Sequence, residues 1–471
     1  MSNYPNRYED GELNELLLQY QNLISGFSHS FIDEEAFGRI IDYYDDNNEL
    51  TRALEAADVA ISQYPLSGGL LIKKADLLII AKKHREALRM LDRAESLADD
   101  DINIYILKTD AYLALDQHSK AGEVMSVALE KFDGYDKLDL LFELSDVFDD
   151  YEDFDKVFDC LKLVLEMDPT NEEALNKICF WTDYTGRNEE SINLHRQIID
   201  EHPFSELAWF NLASAYQGLK LFEKAIDAYL YATAIDEKFE FAYRNMADAY
   251  IRTRKFNLAI EALQTVLELA QPEELILEAI GHCYDKLNDY PNARIHYRRA
   301  LQLNPEDSML FYKIACTYMS ESEWNKAINH LKTALRLSKY QPDYNLAMGQ
   351  CLVQLGQYAD AIQYLGTVLR LKPKNLSGWT TLLQCLYRGG YHKEGIRAIE
   401  AEMERPRTKP VFHFYKAAFL LAMAKTKEAL LHLEHGMAIN PRLVKKMKEL
   451  DPSILQNPHV LDVIARSGKK K

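Results

Sequence analysis

The chain has 471 residues, of which 47% are hydrophobic and 27% charged. This balance is typical of a folded protein and excludes an intrinsically disordered chain. Its 73 acidic and 55 basic side chains leave a formal net charge of -18, which makes nucleic acid and anionic membrane surfaces unfavourable partners. No run of 18 apolar residues occurs, and residues 1–11 lack the apolar segment of a secretory signal. We therefore expect a cytoplasmic protein without a membrane-spanning helix.

At the amino terminus, residues 1–33 form an acidic lead-in before any repeat begins. Within it, residues 11–27 carry apolar side chains at helical spacing. This pattern predicts a capping helix with one buried face, formed by Leu13, Leu16, Leu17, Tyr20 and Ile24.

From residue 34 to 441 the sequence repeats with a period of 34 residues, with one interval of 36 between Ala121 and Val157. Apolar or aromatic side chains recur nine positions before all of the small residues but one, where Thr182 precedes Ser191, and four positions after most of them. The small column consists of Ala53, Ala87, Ala121, Val157, Ser191, Ala225, Ala259, Ala293, Ala327, Ala361, Gly395 and Ala429. Each unit contains two apolar blocks of about 14 residues separated by a turn, which predicts a helical hairpin whose small residue allows close helix packing.

These columns resemble the tetratricopeptide repeat (TPR) family. The best-matching unit contains Trp209, Leu212-Ala213, Tyr216, Ala225, Tyr229 and Ala232. The resemblance covers about twelve units and implies an all-α, right-handed superhelical solenoid whose first helices line a concave groove. The acidic lead-in and the carboxy-terminal ending are also similar to those of long cytoplasmic TPR-array proteins of Bacteroidetes-type bacteria.

Two units depart from the pattern. The fifth has polar residues at core columns, including Ser191 and His195, and we interpret His195 as a hydrogen-bonded core histidine. The eleventh has Gly395 and Glu402 at small apolar positions and is followed by Arg405–Pro410. These units are expected to pack least tightly, either as hinges or as ordinary degeneracy compensated by neighbouring units.

Residues 442–471 follow the last unit. We expect capping helices at about 442–450 and 458–465, then a basic tail ending in Lys469, Lys470 and Lys471. The tail is read as solvated, with contact to an acidic partner as the alternative.

The sequence lacks the common short motifs of nucleotide-binding, metal-binding and catalytic sites. The sequence contains no glycine-rich nucleotide loop, no zinc-protease motif and no nucleophile elbow. Its cysteines occur in no CxxC arrangement and predict reduced, structural thiols: Cys160, Cys179, Cys283, Cys316, Cys351 and Cys385. His432 and His435 have metal-ligand spacing, but no Asp, Cys or third His stands nearby in sequence, so we interpret them as surface histidines. The sequence predicts no catalytic residue, no metal and no cofactor.

Candidate partner-binding residues lie on the predicted first helices. The carboxylate clamp of the TPR family requires Lys and Asn at the fifth and ninth positions of a unit, and no unit matches. Arg244 comes nearest, with Asp248 in place of Asn. The ninth position is instead aspartate in four successive units, an aspartate ladder comprising Asp42, Asp76, Asp110 and Asp146.

Neighbouring helices pack about 8–10 Å apart, close to the Debye length of about 8 Å at physiological salt. The ladder carboxylates should therefore reinforce one another's field and attract Lys or Arg side chains; the alternative is a solvated acidic face. Residues 1–200 carry 43 acidic and 19 basic side chains, against 30 and 36 in residues 201–471. This asymmetry suits an elongated partner or head-to-tail stacking of copies, with compositional drift as the alternative.

An apolar stripe is predicted in the middle of the array. Aromatic and methionine side chains are common anchors of binding energy, although some of these should pack against adjacent units. The stripe comprises Phe142, Phe180, Leu207, Phe210, Phe241, Ile251, Leu275, Met309, Tyr312 and Met319.

The sequence thus predicts a non-enzymatic adaptor that holds a segment of a partner protein in its groove, in assembly or chaperone-like work. The alternative is a structural component that self-associates into a homo-oligomer. An enzyme and a nucleic-acid-binding protein are the least favoured hypotheses.

Overall fold

The computed structural model describes residues 7–26, 31–98, 100–404 and 409–468. The described residues form helices and no strand, as the all-α prediction requires. The chain divides into two compact units, residues 1–249 and 250–471. Residues 405–408 of the segment Arg405–Pro410 and the lysines at 469–471 lie outside the described residues.

The first unit begins with α1, which is followed by consecutive helical pairs. Its helices are α1 (Arg7–Ile24), α2 (Glu34–Asp46), α3 (Leu50–Gln63), α4 (Gly68–Ile80), α5 (His84–Glu95), α6 (Ile102–Ala114), α7 (His118–Lys131), α8 (Gly134–Asp150), α9 (Phe154–Met167), α10 (Glu172–Thr185), α11 (Asn188–Glu201), α12 (Glu206–Gly218), α13 (Phe222–Ile235) and α14 (Glu240–Arg252), which carries the boundary between the units. The helix α8 is longer than the other first helices and accommodates the single 36-residue interval.

The second unit continues the same alternation. Its helices are α15 (Phe256–Leu269), α16 (Glu274–Lys286), α17 (Tyr290–Leu303), α18 (Ser308–Ser320), α19 (Trp324–Leu337), α20 (Pro342–Gln354), α21 (Tyr358–Leu371), α22 (Leu376–Arg388), α23 (His392–Met403), α24 (Val411–Ala422), α25 (Thr426–Ile439), α26 (Met447–Leu450) and α27 (Pro458–Gly468). The segments Pro441–Lys446 and Pro452–Gln456 are 3-10 helices. The expected helix at 442–450 is therefore α-helical only in its last turn.

Periodic capping and turn residues explain why the hairpins recur. First helices begin at polar residues whose side chains accept a hydrogen bond from a backbone N–H of the first turn, at Asp33, Ser67, Asp101, Asn171, Ser205, Asp307 and Asn375. Within each pair, the turn contains a residue with positive φ at the same register. Only some of these are glycine, such as Gly186; Lys82 and Ala424 adopt the same left-handed conformation at φ 59° and 60°.

The small column lies where the two helices of a pair meet. Ala53 and Ala225 are fully buried, and so is the Ala327 side chain. This burial confirms the packing role that the sequence predicts. In α1, Leu17 and Tyr20 are buried as expected, but Ile24 is exposed and Leu23 packs against the core in its place.

The two divergent pairs pack as the sequence predicts. The contact of α10 with α11 is small, and α10 packs mainly on α9 and α12. In the second unit, α22 likewise packs more on α21 than on α23. A Cβ added to Gly395 would lie 2.2 Å from Cε1 of Phe419, so the glycine makes room for a ring of the following helix. Neighbouring helices therefore compensate for the unusual residues.

His195 is fully buried in α11 and is hydrogen bonded on both ring nitrogens, which confirms its interpretation as a core histidine. Nδ1 lies 2.8 Å from the Ser191 carbonyl, and Nε2 lies 3.2 Å from Nδ2 of Asn211. The same amide donates to the Leu175 carbonyl at 2.7 Å. This polar network joins α10, α11 and α12. Burial lowers the pKa of His195 to about 4.

Candidate functional site

The aspartate ladder lies on α2, α4, α6 and α8, the first helices of four consecutive pairs. Two of its members face a lysine from the next first helix. Asp42 pairs with Lys73, and Asp146 lies 3.6 Å from Nζ of Lys177. Each lysine follows its aspartate by 31 residues. Because the spacing is the same in both pairs, the repeat pattern of the sequence could have predicted them. Part of the ladder's charge is therefore balanced within the chain.

Asp110 has a different partner. It accepts a hydrogen bond of 2.6 Å from the Tyr151 hydroxyl, at the end of α8. Burial, the hydrogen bond and the Asp110 charge together raise the pKa of Tyr151. The phenol consequently stays protonated and serves as a neutral hydrogen-bond donor to the Asp110 carboxylate.

Asp76 lies at the centre of the ladder. Within the described part of the chain it has no ion pair or hydrogen bond of its own. Partial desolvation by the surrounding helices raises the pKa of Asp76, and the carboxylates of Asp45 and Asp110 raise it further, whereas the nearby Lys73 lowers it in part. The side chain is nevertheless exposed, and it can be reached from solvent. A cation placed here would relieve the repulsion among three carboxylates.

Aromatic side chains continue from the last ladder residue. Phe142 lies beneath Lys177, with Nζ 5.5 Å from the ring centroid. On α10, Phe180 is 61% exposed and contacts Trp181, with ring centroids 4.8 Å apart. Phe180 and Trp181 belong to an aromatic cluster made of Phe154, Phe180, Trp181 and Tyr184.

Only Phe180 of this aromatic cluster was a predicted site residue. The missed residues Trp181 and Tyr184 follow it at one and four positions on the same helix, which was a readable signal. Phe154 begins the preceding helix and stacks on Trp181 at 5.1 Å. Only the packing of α9 on α10 brings Phe154 into contact with these rings.

The other predicted residues of the first unit have separate surroundings. Phe210 is half-buried and packs against Tyr229 and Phe239, with centroids 5.8 and 5.0 Å away. Phe241 is 63% exposed. Arg244 forms an ion pair of 2.6 Å with Glu240 on its own helix. Phe210 therefore contributes partly to packing, whereas Phe241 presents its ring to solvent.

Tyr312 belongs to the second unit. Its ring stacks on Tyr344 with centroids 4.8 Å apart. Burial and the neighbouring Cys316 thiol raise the pKa of the Tyr312 phenol. The structure therefore places this residue in an aromatic pair of α18 and α20.

All six cysteines lie in the described residues and none forms a disulfide. Burial raises the pKa of each thiol, to about 12 at Cys160 and about 11 at Cys283. Because the thiolate is the reactive form, protonated buried thiols act as packing groups.

Among the residues that the structure describes, one group of carboxylates has oxygens close enough to share a cation. Glu274, Glu278 and Asp307 each place an oxygen within 4.8 Å of the others. Two of them already have structural partners: Glu278 pairs with Lys313, and Asp307 caps α18. These contacts account for the group without a ligand.

Two models of known protein families match parts of the chain. Residues 185–352 match the model of the tetratricopeptide repeat protein 21 C-terminal ARM domain, and residues 318–390 match a tetratricopeptide repeat model. No curated protein matches the sequence. Among the described residues, no helix has the length and apolar character needed to cross a membrane.

Solved structures with a similar chain path share low sequence identity with this protein. The C-terminal part of a TPR repeat-containing protein from Cytophaga hutchinsonii is 16% identical, with 51% of this chain and 99% of that chain covered and a TM-score of 0.43. A tetratricopeptide repeat protein from Parabacteroides merdae is 16% identical, with coverage of 52% and 97% and a TM-score of 0.37. YrrB, described as a TPR protein with an unusual peptide-binding site, is 16% identical, with coverage of 39% and 95% and a TM-score of 0.35.

The family-model matches agree with three features of the structure: the 34-residue hairpins, the buried small column and the positive-φ turn residue that recurs in each pair. The narrower similarity to proteins of Bacteroidetes-type bacteria stays a prediction. The family-model matches cover residues 185–390, and over that range the chain is similar to tetratricopeptide repeat proteins.

Proposed function

We propose that this protein is a non-enzymatic interaction scaffold that binds a Lys- or Arg-bearing segment of a partner protein along the first helices of its first unit. The observation that carries the proposal is Asp76, whose exposed carboxylate has a raised pKa because the surrounding helices partly desolvate it and because Asp45 and Asp110 lie close to it. Such a group costs stability while it is ionised. A ligand cation would remove that cost, which favours binding.

The aromatic cluster supplies the second part of the proposed surface. Exposed aromatic rings gain most when a partner covers them, because they bury a large area at a small cost in side-chain entropy. Lys177 contacts both Asp146 and the Phe142 ring, and Phe180 of the aromatic cluster follows it by three residues on α10. The acidic and aromatic parts thus adjoin at α8 and α10. The partner segment is expected to combine basic and apolar side chains, in assembly or chaperone-like work.

Binding of labelled peptides tests this proposal. Fluorescence anisotropy would be measured with a set of peptides that combine Lys or Arg with aromatic residues, and with the same peptides carrying Glu in place of the basic residues. The wild-type chain should bind basic peptides and not their acidic counterparts. The affinity should fall as salt is raised, since exposed charges are screened.

The Asp76→Asn/Asp110→Asn variant should weaken binding. Exposed ion pairs contribute about 0.2–1 kcal/mol each, so the loss of two predicts a reduction of about 2- to 30-fold. The matched control is Glu55→Gln/Glu130→Gln, which removes two exposed carboxylates from the second helices α3 and α7. Equal weakening by both variants, or equal binding of basic and acidic peptides, would contradict the proposal. A molecular mass that rises with concentration, in the absence of selective peptide binding, would favour the self-associating component instead.

A further inference from the structure

Three histidines come together in the last helical pair of the second unit. His413 lies on α24, and His432 and His435 lie on α25. Their ring centroids are 5.7, 5.9 and 6.5 Å apart. The interpretation of His432 and His435 as surface histidines rested on the lack of a third ligand nearby in sequence. The packing of α24 on α25 supplies that residue from 19 positions upstream of His432.

The two closest ring nitrogens have the separation of metal ligands. Nδ1 of His413 and Nδ1 of His432 lie 3.4 Å apart. A hydrogen bond between two nitrogens at this distance is long and weak. Two imidazole nitrogens bound to one tetrahedral Zn²⁺ at about 2.0–2.1 Å are themselves separated by about 3.3–3.4 Å. The pair is therefore spaced for chelation without movement of either helix.

The third imidazole has the freedom to complete the site. His435 is exposed, whereas His413 and His432 are half-buried. Ring centroids around a tetrahedral ion lie roughly 5–6 Å apart when the metal–nitrogen bonds are about 2 Å. The nitrogens of the three rings are not all within 4.8 Å of one another in the structure, so ligation by all three requires rotation of the exposed His435 side chain.

A basic side chain of α24, Lys416, lies close to His413 and His432. Lys416 also forms an ion pair of 2.9 Å with Glu400. This pairing reduces the repulsion that the ammonium group would exert on an incoming cation.

We propose that His413, His432 and His435 form a binding site for a divalent transition-metal ion of the Zn²⁺ type. Three imidazoles favour Zn²⁺, Ni²⁺ or Cu²⁺ over Mg²⁺ and Ca²⁺, which prefer oxygen ligands. Three protein ligands leave the fourth tetrahedral position open to water or to a group from another molecule. A bound ion joins α24 to α25 and stabilises the last pair by mass action.

Metal titration of the full-length, tag-free chain tests the site. After treatment with a chelator, the protein would be titrated with ZnCl₂ by calorimetry and with CoCl₂ by visible absorption, since tetrahedral Co²⁺ has a strong d–d band. We expect one ion per chain, displacement of Co²⁺ by Zn²⁺, and no displacement by Mg²⁺. The melting temperature should rise with Zn²⁺.

Single substitutions identify the ligands. His413→Ala and His432→Ala should each weaken Zn²⁺ binding more than tenfold and abolish the Co²⁺ band, and His413→Gln repeats the test with a larger side chain. The matched control is His459→Ala, which removes an exposed histidine of α27. Circular dichroism confirms that each variant is folded before titration. Unchanged Zn²⁺ affinity in folded His413→Ala or His413→Gln, or an equal loss in His459→Ala, would overturn the proposal.

Discussion

Acidification should destabilise the first unit through His195. Its pKa is about 4 in the folded chain because the ring is fully buried, against about 6.5 in an unfolded chain. The unfolded state therefore binds a proton between these two values and the folded state does not. The stability that the neutral ring contributes is complete above about pH 6.5 and is lost as the pH falls towards 4.

The size of the effect follows from the two pKa values. Linkage gives a loss of about 2 kcal/mol between pH 7 and pH 5, and of about 3 kcal/mol by pH 4. The variant His195→Gln keeps a polar side chain but cannot take up this proton. It should be less stable than the wild type at pH 7, because the contacts of the ring with Ser191 and Asn211 are altered. The difference should shrink by about 2 kcal/mol at pH 5.

Tryptophan fluorescence measures unfolding of this region. Trp181 on α10 and Trp209 on α12 flank the histidine, and the other two tryptophans, Trp324 and Trp379, would be changed to Phe in every protein compared. Urea titrations at pH 7 and pH 5 then give the unfolding free energies of the region.

The matched control for this experiment is His118→Gln, which removes an exposed histidine from the same unit. Its stability difference from the wild type should not narrow in the way expected for His195→Gln. A stability gap between wild type and His195→Gln that is the same at both pH values would refute the reasoning.

Two further substitutions test individual contacts. Asp76→Asn should raise the urea midpoint at pH 7, because the raised pKa of Asp76 means that its ionised form destabilises the fold; this gain should diminish as acid protonates the wild-type carboxyl. An unchanged midpoint at pH 7 would show that Asp76 carries no electrostatic strain. Gly395→Ala should lower the stability of the second unit by about 1–3 kcal/mol, since the added methyl group meets the Phe419 ring. A thermal melt no lower than that of wild type would show that the ring moves aside freely.

The repeat architecture was predictable because each hairpin packs on its sequence neighbours. The small column and the polar caps recur every 34 residues, so local periodicity carries the information about packing. His195 was correctly interpreted from its column alone. The aspartate ladder was found in the same way, since equivalent positions of successive units occupy equivalent places on successive helices.

Departures from the period needed the structure. Gly395 reads as a poor match in its own unit, and only the Phe419 ring of the next helix explains it. The sequence pattern placed Ile24 on the buried face of α1, but Leu23 packs against the core in its place. A small rotation of an amphipathic helix about its axis exchanges such neighbouring residues. The left-handed turn residues, such as Lys82 and Ala424, also escaped prediction, since most are not glycine.

The sequence by itself determined the helical hairpins, their number and register, and the acidic character of the first helices, because these follow from short-range periodicity. Only the tertiary structure decided which charges are already paired and which side chains meet. Lys73 and Lys177 balance two ladder carboxylates, while partial desolvation and the nearby Asp45 and Asp110 raise the pKa of Asp76. His413 joins two histidines of the neighbouring helix in the same way. Such contacts join residues from different helices, and their geometry depends on how those helices pack.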